Sequence, residues 1–145
     1  MVRSRQAIVK QAIVTSEDDT LLRHACPDLD EWPMRWQYET KDIAPGNAIV
    51  AIFKPFLIDM LRSKPSRTTF NRHRDNLWQV GGEFIRLRYE HPDLHRMPID
   101  RLIRHLIEAD GGPLIWPRIS ESEQNAIDAT CRKFYRFLNP STTAE

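Results

Sequence analysis

Residues 64–88, KPSRTTFNRHRDNLWQVGGEFIRLR, constrain the fold more than any other part of the chain. Pro65 and Ser66 open this stretch as a helix start should, because a serine hydroxyl there accepts a bond from one of the free N–H groups of the first turn. Phe70, Leu77, Phe84 and Arg88, with Val80 and Gly81 between them, then follow helical spacing and mark one buried face. The opposite face is basic and polar. Gly81 and Gly82 each cost about 1 kcal/mol relative to alanine inside a helix, so something must offset them. The sequence predicts the close approach of a neighbouring helix, tightest at Gly82, with a break into two helices as the second choice.

The segments on either side carry the same signature, and the fold expected is mainly α, a compact bundle of about five helices. With 145 residues, of which 41% are hydrophobic, the chain matches one domain, residues 1–145, around one core. Residues 1–15 and 139–145 have little to bury and are expected to fray. Gln-Ala-Ile-Val occurs twice among the first 14 residues and suits a helix face and a strand alike. Residues 16–20 offer helix caps to Leu21, Leu22 and Ala25, up to Pro27.

Trp32, Met34, Trp36 and Tyr38 alternate with polar residues and Pro33, the period of a half-buried strand, so a short β element is expected at residues 32–38. Pro33 confines it to an edge or a strand start. Ala44, Pro45 and Gly46 read as a turn. Asn47 then caps a helix that carries Ile49, Ile52, Phe53, Phe56, Leu57, Met60 and Leu61 inward. Pro55 predicts a kink there or the meeting of two helices.

Pro98 begins a helix with the stripe Ile99, Leu102, Ile103, Leu106 and Ile107, and Gly111-Gly112 supplies its stop. Leu114-Ile-Trp116 is an apolar connector expected to plug an edge of the core. Ser120-x-x-Glu123 is a capping box, behind which Ile127, Thr130, Cys131, Phe134, Phe137 and Leu138 repeat at helical spacing. Leu77, Phe84, Leu106, Phe134 and Phe137 are all expected in the core.

Chemistry-bearing patterns are sparse. Cys26 and Cys131 have no neighbour in sequence that would activate a thiol, and they are too few for a zinc knuckle. His91 and His95 are four apart, but Pro92 argues against a shared helix face and no third ligand lies at a useful spacing, so no metal is expected. The carboxylates Asp18, Asp19, Asp28, Asp30 and Glu31 read as caps and solvated loops. No glycine-rich phosphate loop occurs. The expectation is therefore a protein that is not an enzyme, with no catalytic residue and no cofactor.

Net charge is +1, yet its distribution is uneven. Residues 1–61 hold 7 Lys/Arg against 9 Asp/Glu, residues 62–104 hold 10 against 5, and residues 105–145 hold 4 against 6. The basic middle coincides with the long helix, and no acid stands between Lys64 and Asp75. Lys64, Ser66, Arg67, Thr68, Thr69, Arg72, His73 and Arg74 are the candidate binding residues. Free N–H groups, hydroxyls and guanidinium groups at a helix start are a common way to hold a DNA phosphate. Arg67, Arg72 and Arg74 are expected exposed on one positive surface.

The run Thr68-Thr-Phe-Asn-Arg-His-Arg-Asp-Asn-Leu77, after an apolar helix and a short Ser-Lys-Pro-Ser turn, resembles the helical core-binding (SAM-like) domain of tyrosine recombinases. In that domain a Thr-initiated helix follows a similar turn. The likeness covers residues 47–107. The Arg, His-x-x-Arg and Tyr set of the catalytic half is missing, and Tyr135 stands in a helix that reads as core. The resemblance implies DNA contact without strand cleavage. With Asp75-Asn-Leu-Trp78 followed by Gly81-Gly-Glu83, the chain also resembles short proteins of bacterial and mobile-element origin, which implies a source and no activity.

The partner expected is DNA, the alternative being an acidic protein on which a small helical adaptor or inhibitor docks its basic face. A membrane is not expected, because the most apolar window, residues 48–60, is interrupted by Lys54, Pro55 and Asp59. The absence of a signal-peptide pattern points to the cytoplasm.

Overall fold

Helix caps and apolar spacing set most element boundaries in the computed structural model, which describes residues 14–140. Seven α-helices and two short 3₁₀ helices form among the described residues, with no strand. In chain order they are α1 (Ser16–Ala25), a 3₁₀ turn (Leu29–Glu31), α2 (Trp32–Trp36), a second 3₁₀ turn (Thr40–Asp42), α3 (Ile43–Arg62), α4 (Arg67–Glu90), α5 (Pro92–His95), α6 (Ile99–Leu106) and α7 (Glu121–Leu138). The five helices of eight residues or more make the bundle; α2 and α5 are single turns. The Gln-Ala-Ile-Val repeat lies almost wholly outside the described residues.

α3 is the helix on which the others pack. It lies against α1, α2, α4 and α6, and its Phe53 and Phe56 rings reach Phe134 of α7 at centroid distances of 5.6 and 4.8 Å. Ile49, Phe53 and Leu57 are fully buried. Residues 40–62 are long and apolar enough, by length and composition, to cross a membrane; in this fold they form the central element. The helix runs unbroken across Pro55, so the division into two helices does not occur. It also starts at Ile43, before Asn47, because Pro45 falls in the first turn, where backbone N–H groups have no helical partner to lose. Gly46 lets α2 in: a Cβ there would lie 2.8 Å from Pro33 Cβ.

The β element expected at residues 32–38 is a helix. Trp32 and Trp36 are four apart as well as two steps of an alternation, so the same row of aromatics fits one face of a helix. Both are buried, with ring centroids 5.7 Å apart, whereas Met34 and Tyr38 are exposed. Pro33 sits in the first turn, where it removes no helical hydrogen bond. After it, the buried Asp42 carboxylate accepts from the N–H groups of Tyr38 and Glu39 at 2.9 and 3.1 Å and turns the chain into α3.

α1 is capped by Thr15, one residue before the cluster of expected caps, with Asp18 completing a capping box. α4 starts as expected on Ser66, whose hydroxyl accepts from Thr69 N–H at 3.1 Å. It is continuous through Gly81 and Gly82, where the Trp36 indole lies across the backbone, closest at Gly81. Arg88 is only half-buried, with its guanidinium donating to the His95 carbonyl at 3.2 Å.

α6 ends at Leu106, short of Gly111-Gly112. The two glycines serve packing: a Cβ at Gly111 would lie 2.8 Å from Asp128 Oδ1 and one at Gly112 would collide with Cys131 Sγ. Ile115 is buried from the connector, which α7 holds by one side chain. Gln124 Oε1 accepts from the N–H groups of Ile115 and Trp116 at 2.7 and 2.9 Å, and its Nε2 donates to Pro113 O at 3.1 Å. The connector is also pinned to α4, where buried Glu83 accepts from Arg118 and Arg86. Ser120 and Glu123 form the expected capping box of α7. Leu77, Phe84 and Phe134 are fully buried, while Leu106 and Phe137 are only half-buried at the bundle margin.

Candidate nucleic-acid interface

The turn between α3 and α4 places the basic stretch at the surface. Lys64 takes φ = 53°, a left-handed conformation that reverses the chain ahead of Pro65, and its side chain is exposed. Ser66 caps α4 and also donates its hydroxyl to Thr69 Oγ1 at 2.9 Å, so both hydroxyls are engaged locally. Arg67 and Thr68 are exposed in the first turn. Among the described residues Arg67 has neither a hydrogen-bond nor an ion-pair partner.

The remaining residues divide between two sides. A helix turns about 100° per residue, so Arg67 and Arg74, seven apart, lie within about 20° of each other and Arg72 lies about 140° from Arg67. Arg67 and Arg74 face α1. Arg72 and His73 face toward α7, and the single surface expected for the three arginines is split in two.

Arg74 is largely covered and donates through Nε and Nη2 to Asp75 Oδ1 at 3.1 and 2.8 Å. His73 is half-buried, its Nδ1 2.8 Å from Thr130 Oγ1, and Asn76 donates to the same hydroxyl at 2.9 Å. Burial, and then the nearby charges of Lys133 and Arg72, push the His73 imidazole below its ordinary pKa. Lys133 thus joins the α7 side of the patch. Sequence reasoning missed it because 60 residues separate it from His73 and only the packing of α4 on α7 joins them. Thr130, standing in an apolar stripe, was its one trace in the sequence.

Other chemistry finds little support. Burial, followed by the charge of Asp28, pushes the Cys26 thiol up to about 12, and burial with Asp128 does the same for Cys131, so both stay protonated at neutral pH. His91 and His95 are exposed at the two ends of α5, a turn that Pro92 opens, contrary to expectation, from its first position. No three His, Cys, Asp or Glu side chains converge as metal ligands would among the described residues. No protein-family model, curated protein or solved structure matches the chain.

Proposed function

We propose that this protein is a non-catalytic helical module that binds the phosphate backbone of DNA with the start of α4. The observation that carries this reading is the state of Arg67 and Arg72, which are exposed and have no carboxylate partner among the described residues. Arg74, close to them in sequence, is tied to Asp75, and Arg23, Arg101 and Arg136 are likewise exposed without a carboxylate partner among the described residues; what sets Arg67 and Arg72 apart is their place in the first two turns of the long helix α4. Two free guanidinium groups flank a helix end whose N–H groups and dipole already favour an anion. Lys64 and Lys133 extend the positive field on either side.

The test is a gel-shift titration with mixed-sequence duplexes at low and raised salt. Binding should weaken by about 0.9 log units per log unit of salt for each phosphate neutralised. Arg67→Glu with Arg72→Glu should abolish the shift and leave the melting temperature nearly unchanged, because both side chains are solvated. No shift at low salt overturns the proposal.

A second reading, an adaptor that docks on an acidic protein, is favoured by the exposed side chains of Met34, Tyr38, Trp78 and Tyr89. Tyr38 and Tyr89 already lie against each other at 5.1 Å. Large aromatics of this kind dominate protein interfaces. A partner whose binding is lost on Tyr89→Ala, with duplex binding absent, would mark this reading as the correct one.

A further inference from the structure

α1 runs beside the first turns of α4 and leaves between them an open cleft of about 400 Å³, lined among others by Leu21, His24, Arg67, Phe70, Asn71 and Arg74. This lies within the usual 300–1,000 Å³ of small-molecule sites. The lining is of two kinds. Phe70 is buried at the floor, and Leu21, 46% exposed, forms an apolar rim that no other part of the described chain covers. The polar lining consists of two guanidinium groups, an imidazole and an amide; no carboxylate lines the cleft itself, although Asp75, paired with Arg74, and Asp28 lie near enough to act on that guanidinium. Asp75 holds the Arg74 guanidinium through Nε and Nη2 and leaves Nη1 without a partner among the described residues.

We infer that this cleft binds a small organic anion, a carboxylate, sulfonate or phosphate group carried on an apolar body. The charged end lies between Arg67 and Arg74, and the apolar body rests on exposed Leu21 and the half-buried Ala25, Leu61 and Pro65, above buried Phe70. Each half of the lining excludes something. A neutral apolar ligand would desolvate the guanidinium groups without giving them an acceptor, and a cation would be repelled. A DNA phosphodiester reaches Arg67 at the rim but has no apolar body for the floor. The site therefore stands whether or not the chain binds DNA, and the two ligands would compete at Arg67.

The probe is 8-anilinonaphthalene-1-sulfonate, titrated into the folded full chain by fluorescence and calorimetry. Its neutral analogue N-phenyl-1-naphthylamine and inorganic phosphate run beside it. One sulfonate per chain is expected, with the analogue and phosphate each bound at least about tenfold more weakly, since each lacks one half of the recognition. Arg74→Gln and Arg67→Gln should each weaken the sulfonate about tenfold, whereas Arg101→Gln, the same charge change on distant α6, should not. Arg67 is exposed, so its variant carries the test if Arg74→Gln fails to fold. Equal affinity for the neutral analogue, unchanged affinity in Arg67→Gln, or a loss produced instead by Trp78→Ala overturns the assignment. Arg72→Glu distinguishes the two readings, because it removes duplex binding and leaves sulfonate binding intact.

Discussion

The indole Nε1 of Trp36 donates to the backbone carbonyl of Trp78 at 2.9 Å, and the N–H edge of the ring lies against the two glycines of α4. The glycines are the imprint of that ring in the sequence. A Cβ added at Gly82 would stand 3.2 Å from Trp36 Cδ1, a distance that a small shift of the ring relieves. At Gly81 it would overlap the six-membered half of the indole, which has no room to move without breaking the bond to Trp78.

Gly81→Ala should therefore destabilise the protein by about 1–3 kcal/mol, as overpacking does. Gly82→Ala should stay within about 1 kcal/mol of wild type, because alanine's better helix propensity offsets the tighter contact. Urea melts of the two variants decide it. Equal effects would show that the indole is not the constraint.

Phe134 is fully buried between Phe53 and Phe56, and Phe134→Ala should cost about 3–5 kcal/mol. Phe137 also meets Phe56, at 5.5 Å, but stands half-buried at the margin, so Phe137→Ala should cost clearly less. A Phe134→Ala loss below about 1 kcal/mol would mean that α7 does not complete the core.

Stability should fall in two stages as pH drops. The folded chain holds His73 below its ordinary 6.5, chiefly by burial, so below pH 6.5 the unfolded chain takes up the proton first and stability declines until the folded value is passed. Thr130, Asn76, Lys133 and Arg72 surround it, and none is an acid that would favour the charged ring. Asp18 has its pKa lowered from 3.8 to about 2 by Arg62 and the Thr15 N–H, so its contribution is complete above the unfolded value and is lost as pH falls toward 2. Glu83 is also lowered, the hydrogen bonds from Arg86 and Arg118 outweighing its burial, and adds to this lower stage. Denaturant midpoints from pH 8 to about pH 2 should show both stages, and His73→Asn should remove only the upper one.

Where a residue's signal is local, the sequence was legible. Ser66 and Ser120 cap the helices they were expected to cap, and the apolar stripes behind them turn inward. Local signals failed at residues 32–38, because a row of aromatics two apart satisfies a strand and a helix alike until a neighbouring surface chooses; here that surface is α3 and the glycine face of α4. The central role of α3 was hidden for a related reason. Composition shows that a helix is apolar but not how many neighbours it will meet. The candidate site was legible as a list of cations and illegible as a surface, because Asp75 draws in Arg74, Thr130 anchors His73, and Lys133 arrives from 60 residues away.

Gln124 bonds to groups only 8, 9 and 11 residues before it, whereas the Trp36 indole reaches 42 residues along the chain and His73 reaches 57. Closing a short loop costs little chain entropy, and the cost rises slowly with length. The connector and the first turn of α7 are thus tied together mostly by short-range bonds, with the Arg118–Glu83 pair as their long-range anchor to α4. In folding terms, the start of α7 brings its own register to the connector, and the long-range bonds at Glu83 and Thr130 dock the two on α4.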